Sequence, residues 1–95
     1  MMDPQIIFQG IDSPETRSEV KSLMDDLIQL CPSDSAVIAT FKNLQDSFLA
    51  EIKIASESVC MQAVDQATLL TDVLEHVKTK LLVQIVDWRN HRFAS

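Results

Sequence analysis

The sequence predicts an all-α fold, a small helical bundle, and three observations lead to this prediction. The 95 residues include one glycine and three prolines, all in the first third, so residues 33–95 contain no strong helix breaker. Apolar residues recur at alternating steps of three and four, as they do on one face of a helix. An all-β domain would need many turns, and one glycine, three prolines and no tyrosine argue against it.

The chain is long enough for one domain with its own core, and we predict a single domain over residues 1–95. Residues 1–12 are predicted to form a short apolar arm, which includes Ile6, Phe8 and Ile11. An apolar segment outside any helix is unfavourable in water. The arm is therefore expected either to cover the open end of the bundle or to dock on another subunit.

The first helix, helix A, is predicted at about 14–31. Ser13 can accept hydrogen bonds from the first free backbone N–H groups, Pro14 suits the first helical position, and Glu15 lies near the positive end of the helix dipole. Pro32 ends the helix, because the residue before a proline disfavours helical geometry. Six apolar residues between these signals share one helix face: Val20, Leu23, Met24, Leu27, Ile28 and Cys31.

Residues 32–35, with the sequence PSDS, predict a tight turn that would make helix A antiparallel to the following helix B. The apolar stripe then runs on to Trp88 with no clear change of phase. Two interpretations remain open: helix C is continuous with helix B in a long helical hairpin, or a break within residues 56–71 separates them in a three-helix bundle. The possible capping box formed by Asp72 and Glu75 favours the break.

The charge of the chain is unevenly distributed. Residues 1–75 carry thirteen acidic and four basic side chains, whereas residues 76–95 carry four basic and one acidic. A formal net charge of −6 disfavours binding to nucleic acid or to an anionic membrane surface. The expected partner is therefore another protein, with no nucleic acid and no membrane involved.

The cysteines and the chain start indicate the compartment. Cys31 and Cys60 lie among apolar residues and have no Cys or His neighbour at metal-ligand spacing, so they are expected to be free thiols in a reducing environment. The first residues lack the positive region and the long apolar run of a signal peptide, and no apolar stretch approaches the length of a transmembrane helix. We therefore expect a cytoplasmic protein.

No catalytic, cofactor-binding or metal-binding residues are predicted. His76 and His91 are 15 residues apart, and neither has a second histidine or cysteine at helical ligand spacing. Nothing local activates the Cys60 thiol. Because Gly10 is the only glycine, the chain has no glycine-rich phosphate loop. The sequence therefore predicts a protein that is not an enzyme and has no cofactor.

The predicted function is that of a small helical protein–protein interaction module: an adaptor, a chaperone or a subunit of a homo- or hetero-oligomer. Helix C carries more apolar residues than one helix face needs, including Leu69, Val73 and Val86, and this width indicates a partner. The partner would pack against helix C or accept it in a groove. The predicted partner-binding residues are Leu74, Val77, Leu81, Leu82, Ile85, Trp88, Arg89, Arg92 and Phe93.

The C-terminal sequence VDWRNHRFAS, residues 86–95, allows two interpretations. Trp and Arg are enriched among the residues that dominate binding energy at interfaces, which favours a recognition tip. Alternatively, Trp88 continues the apolar stripe, while Arg89, His91 and Arg92 complement the negative end of the helix dipole.

A short helix, a turn containing Pro32-Ser33-Asp34 and a long glycine-free helix together look like the small helical hairpins of bacterial type III secretion, both needle subunits and co-chaperones. The likeness covers a turn and a general shape. It implies an alternative function as a structural assembly component, such as a small helical subunit or co-chaperone of a bacterial secretion system.

Overall fold

A computed structural model describes residues 4–57 and 59–93 and shows one four-stranded sheet with two helices on the same face. The strand order is β1-β2-β3-β4, with β1 parallel to β2 and the other neighbours antiparallel. The predicted all-α bundle is therefore wrong, and the fold is of the α/β class. In chain order the elements are β1 (Gln5–Gln9), α1 (Pro14–Leu30), β2 (Ala36–Asn43), β3 (Phe48–Ala55), β4 (Cys60–Ala67) and α2 (Leu70–Phe93).

Strand β1 and helix α1 form a crossover unit with β2, the connection that a parallel strand pair requires. The residues predicted as an apolar arm supply β1. Gly10 follows β1 with a φ of 73°, in the left-handed region that favours glycine, and its carbonyl accepts a hydrogen bond from the Asn43 amide at 3.2 Å. Helix α1 lies where the sequence places helix A: Ser13 Oγ accepts from the Thr16 N–H at 3.4 Å, and the helix ends before Pro32.

Helix B does not exist; its residues form the hairpin of β2 and β3. Apolar steps of four, such as Val37 to Phe41 and Phe48 to Ile52, fit a strand as well as a helix, because four is also a multiple of the strand period of two. The two hairpin loops, residues 44–47 and 56–59, are each four residues long, a length that type I turns serve without a positive φ. Among the described residues no residue other than glycine has a positive φ. The scarcity of glycine therefore does not exclude strands.

Helix α2 follows directly on β4, so both interpretations of helices B and C are wrong: the residues before α2 are strands rather than helix. The Val73 N–H donates to the Leu69 carbonyl at 3.2 Å and closes the first turn. No helix within the described part of the chain is long and apolar enough to cross a membrane.

The core lies between the sheet and the two helices. Burial alternates along β2 and β3, so every second side chain faces the helices and the side chains between them face away. Phe8 and Phe41 stack within this layer with ring centroids 5.9 Å apart, and the Arg17 guanidinium lies over the Phe8 ring. The largest fully buried side chains are Phe41, Met24, Leu27, Ile52, Ile54, Leu81, Ile85, Val20, Val73 and Val77.

Candidate functional site: the open face of the sheet

The second face of the sheet is covered by neither α1 nor α2. The strand register arranges its side chains in rows that cross three or all four of the strands. Exposure of the apolar members is high for a sheet: Ile38 is 47% exposed and Val64 41% exposed. Successive rows, from the Ala36 end to the Lys42 end, are Ala36, Ala55 and Cys60; Gln5, Ile38, Lys53 and Gln62; Ile7, Thr40, Glu51 and Val64; Gln9, Lys42, Leu49 and Gln66.

These side chains define what we call the open face. Toward the Lys42 end it has a depression of about 270 Å³, and the side chains that line it are amide, hydroxyl, charged and aliphatic groups. An extended polar surface with scattered apolar groups can contact a large partner over a wide area, whereas it gives a small molecule little enclosure. The residues lining the depression are Ile7, Gln9, Thr40, Lys42, Leu49, Glu51 and Val64.

The open face differs from the rest of the molecule in charge. Among the described residues, Glu51 is the only carboxylate on it, and Lys42 and Lys53 are its cations. The Lys53 ammonium lies 3.9 Å from the Glu51 carboxylate, with both side chains well exposed, so the pair contributes little to stability. The other described acidic side chains lie on the helices, in the loops and on the helix-facing side of β4.

Side chains of α2 cover the outer edge of β4. Gln84 accepts a hydrogen bond from the Gln62 N–H at 3.1 Å and donates to the Gln62 carbonyl at 2.7 Å. The Lys80 ammonium donates to the Val64 carbonyl at 2.9 Å. These contacts occupy backbone groups that an added strand would use. The accessible surface on this side of the sheet is therefore its face rather than its edge.

Asp65, His76 and Lys80 form an ionic cluster between β4 and α2. The Asp65 carboxylate contacts His76 Nδ1 and lies 3.7 Å from the Lys80 ammonium. Partial desolvation raises the pKa of Asp65, but the Gln66 N–H, His76 and Lys80 together outweigh it and lower that pKa below its ordinary value. The cluster links α2 to the sheet. Within the described residues no three His, Cys, Asp or Glu side chains are grouped as a metal site.

A cleft of about 480 Å³ lies where the first turns of α1 and α2 approach the β2–β3 loop. Ser13, Thr16 and Thr71 line it with hydroxyl groups, but the carboxyl-bearing Asp12 and Glu19 line it too. Their negative charge opposes the attraction of an anion to the helix N-termini. The cleft is therefore a weaker candidate than the open face.

Four of the predicted partner-binding residues are enclosed in the protein's own core, where α2 packs on the sheet and on α1. They are 0–9% exposed, which explains much of the apolar width of helix C without a partner. These four residues are Leu74, Val77, Leu81 and Ile85.

The remaining predicted partner-binding residues lie elsewhere on α2. Leu82 and Trp88 are half-buried, and the Arg89 guanidinium donates to the Leu30 carbonyl at 3.4 Å. The side chains of Arg92 and Phe93 lie outside the described part of the structure. A partner-binding role for these residues stays a prediction.

The thiols differ in environment. The Cys31 thiol donates to the Leu27 carbonyl at 3.2 Å, and burial raises its pKa although Arg89 acts in the opposite direction. Cys60 is exposed at the first position of β4, on the open face. Cys60 is thus the thiol that a reagent reaches first.

No protein-family model matches this sequence, and no curated protein matches it either. Solved structures do match. A ribosomal subunit interface protein from Coxiella burnetii superposes with a TM-score of 0.72 at 16% identity, covering 94% of this chain and 99% of that one. The N-terminal domain of Protein Y from Thermus thermophilus gives 0.73 at 12% identity, covering 88% and 96%. The chain has the fold of these proteins.

These similarities correct the predicted function. The helical adaptor, chaperone or oligomer subunit and the secretion-system alternative both depend on an all-α fold, which the chain does not have. The expectation of a protein partner without nucleic acid conflicts with a neighbour named for the interface of the ribosomal subunits. Neither neighbour is described as an enzyme. The sequence analysis did not identify the open-face residues. Strand register decides which side chains share a sheet face, and an all-α prediction contains no strand register.

Proposed function

We propose that this chain binds the ribosome, as a ribosomal subunit interface protein does. The observation that carries the proposal is the extent of the fold match: nearly the whole chain superposes on nearly the whole of the Coxiella burnetii protein. An α/β sheet with two helices is a general scaffold, so the proposal also needs a suitable surface on this chain. The open face supplies a broad exposed surface that presents hydrogen-bonding groups and one carboxylate among the described residues.

The proposal has two consequences for the predicted properties of the chain. A protein that binds ribosomes works in the cytoplasm, which agrees with the localisation expected from the sequence. The function is binding rather than catalysis, so we propose no catalytic residues and no cofactor.

Co-sedimentation tests the proposal. Purified bacterial 70S ribosomes and their separated subunits are centrifuged through a sucrose cushion with increasing amounts of the chain, and the pelleted chain is quantified. We expect saturable pelleting with ribosomes and none without them. An unrelated folded protein of similar size and net charge controls for trapping. Absence of pelleting at every chain concentration and at low salt would refute ribosome binding.

Footprinting of ribosomal RNA on the 70S complex then tests the location. We expect the chain to protect nucleotides at the subunit interface from hydroxyl radicals. Protection confined to the solvent side of a subunit would contradict an interface position while leaving ribosome binding itself intact.

A further inference from the structure

We propose that the open face is the surface that meets ribosomal RNA, with Lys42 and Lys53 contacting backbone phosphates. The inference rests on the proposed function and adds to it the orientation of the chain and the chemistry of the contact. Its basis is the distribution of charge over the described surface. A protein with a formal charge of −6 approaches a polyanion most readily by a face on which cations outnumber carboxylates.

The outer surface of α1 is unsuited to RNA. Helix α1 exposes four carboxylates against two cations, and docking by this side would bring the carboxylates next to phosphates. Like charges in contact cost free energy and also slow association. The exposed charged residues of α1 are Glu15, Glu19, Asp25, Asp26, Arg17 and Lys21.

The outer surface of α2 and the ends of the sheet do not offer a better alternative. On α2 the carboxylates Asp72, Glu75 and Asp87 equal in number the cations whose side chains are described, Lys78, Lys80 and Arg89. Lys80 is already engaged with Asp65 and the Val64 carbonyl. The loops at both ends of the sheet carry acidic side chains. These are Asp12 and Asp46 at one end, and Asp34 and Glu57 at the other.

The open face has the chemistry that RNA requires. Glutamine amides and the Thr40 hydroxyl both donate and accept hydrogen bonds, so they can pair with phosphate oxygens and with the 2′-hydroxyl groups of RNA. These neutral groups add contacts without adding negative charge. The glutamines of the open face are Gln5, Gln9, Gln62 and Gln66.

The two lysines are placed to contact separate phosphates. Lys53 pairs with Ile38 across the β2–β3 ladder, and Lys42 lies four residues further along β2. At about 3.3 Å per residue and about 4.8 Å between strands, their Cα atoms are roughly 14 Å apart, too far to share one phosphate. Each is therefore expected to contribute its own counterion release to binding.

A pair of double variants tests the face with net charge held equal. Lys42→Gln with Lys53→Gln removes the cations of the open face, and Lys21→Gln with Lys78→Gln removes one cation from each helix. Both variants have the same formal charge, so a nonspecific charge effect acts on them equally. Circular dichroism and thermal melting first establish that both variants fold.

For the open-face variant we expect at least a tenfold loss of ribosome affinity in the co-sedimentation assay, against less than twofold for the helix variant. The plot of log affinity against log salt should also become shallower by about two for the open-face variant, since about one unit is lost with each phosphate contact. Equal losses in both variants, or no loss in either, would overturn the assignment of the face while wild-type ribosome binding stands. Failure of the wild type to bind would instead refute the proposed function.

Cross-linking identifies the occupant. A photoreactive maleimide attached to Cys60 lies on the open face, and the Cys60→Ser variant controls for labelling at Cys31. We expect cross-links to ribosomal RNA. Cross-links only to ribosomal proteins, or only between two copies of the chain, would overturn RNA as the partner of this face.

Discussion

Replacing Gln84 by alanine tests whether α2 protects the outer edge of the sheet. The variant loses the two hydrogen bonds with the Gln62 backbone, at 3.1 and 2.7 Å. A hydrogen bond contributes about 0.5–1.5 kcal/mol net. Because water can replace these exposed bonds, we place the loss for both together at about 1 kcal/mol. The higher helix propensity of alanine offsets a few tenths of this.

Urea denaturation and thermal melting measure the loss. For a domain of this size, 1 kcal/mol corresponds to a fall in Tm of about 4–8 °C. Gln29→Ala on the exposed side of α1 is the matched control, because it makes the same substitution in a helix away from β4. We expect the free energy of unfolding of the control to stay within about 0.5 kcal/mol of wild type.

Hydrogen exchange gives a second, local measurement. The Gln62 N–H points to the outer edge and is held by Gln84, so its exchange should accelerate in the variant. An uncovered edge also favours pairing between chains, which light scattering detects as concentration-dependent association. Wild-type stability together with unchanged Gln62 exchange would show that Gln84 does not protect the edge.

Three further predictions concern the core, the ionic cluster and a buried hydroxyl. Leu81→Ala should lower the free energy of unfolding by about 2–5 kcal/mol in urea denaturation, because the Leu81 side chain is fully buried; a loss below 1 kcal/mol would contradict its place in the core. The lowered pKa of Asp65 means that the unfolded chain takes up its proton first as pH falls, so its stabilising contribution is present above the ordinary pKa of 3.8 and disappears as pH falls through the lower folded value. Asp65→Asn should therefore flatten the acid limb of stability against pH. Ser35 Oγ is buried without a hydrogen-bond partner among the described residues. Ser35→Ala should therefore leave the free energy of unfolding unchanged or raise it by up to about 1 kcal/mol. A clear fall in Tm would show that the hydroxyl does form a stabilising hydrogen bond.

Helix α1 was predictable because the signals at its start and end are local. Ser13 and Pro14 mark the start of α1, and Pro32 follows its end, so no knowledge of distant contacts was needed. The strands were not predicted because an apolar step of four residues fits both the helical period of about 3.6 and the strand period of two. The competing signal was present: residues 36–43 and 48–55 contain several β-branched and aromatic side chains, which favour strands.

The candidate site could not be predicted from the sequence, for a different reason. Charge was compared along the chain, where Lys42 and Lys53 fall in the acidic stretch 1–75. In the folded protein those lysines share a face that carries one carboxylate among the described residues, Glu51. Which charges share a face follows from strand register, and register depends on contacts between distant segments. Counting charged residues along the chain therefore gives the net charge of the whole molecule but not the net charge of each surface.

This separation of charge also predicts how an acidic chain can meet RNA in one orientation. The outer side chains of α1 lie more than a helix diameter, about 10 Å, from the plane of the sheet. At physiological salt the screening length is about 8 Å, so their repulsion of a phosphate touching the open face is strongly reduced. The same carboxylates would be much less screened if α1 itself touched the RNA, because they would then lie within the screening length. Repulsion on one side thus selects the face that docks, and raising salt should weaken this selection as well as the attraction.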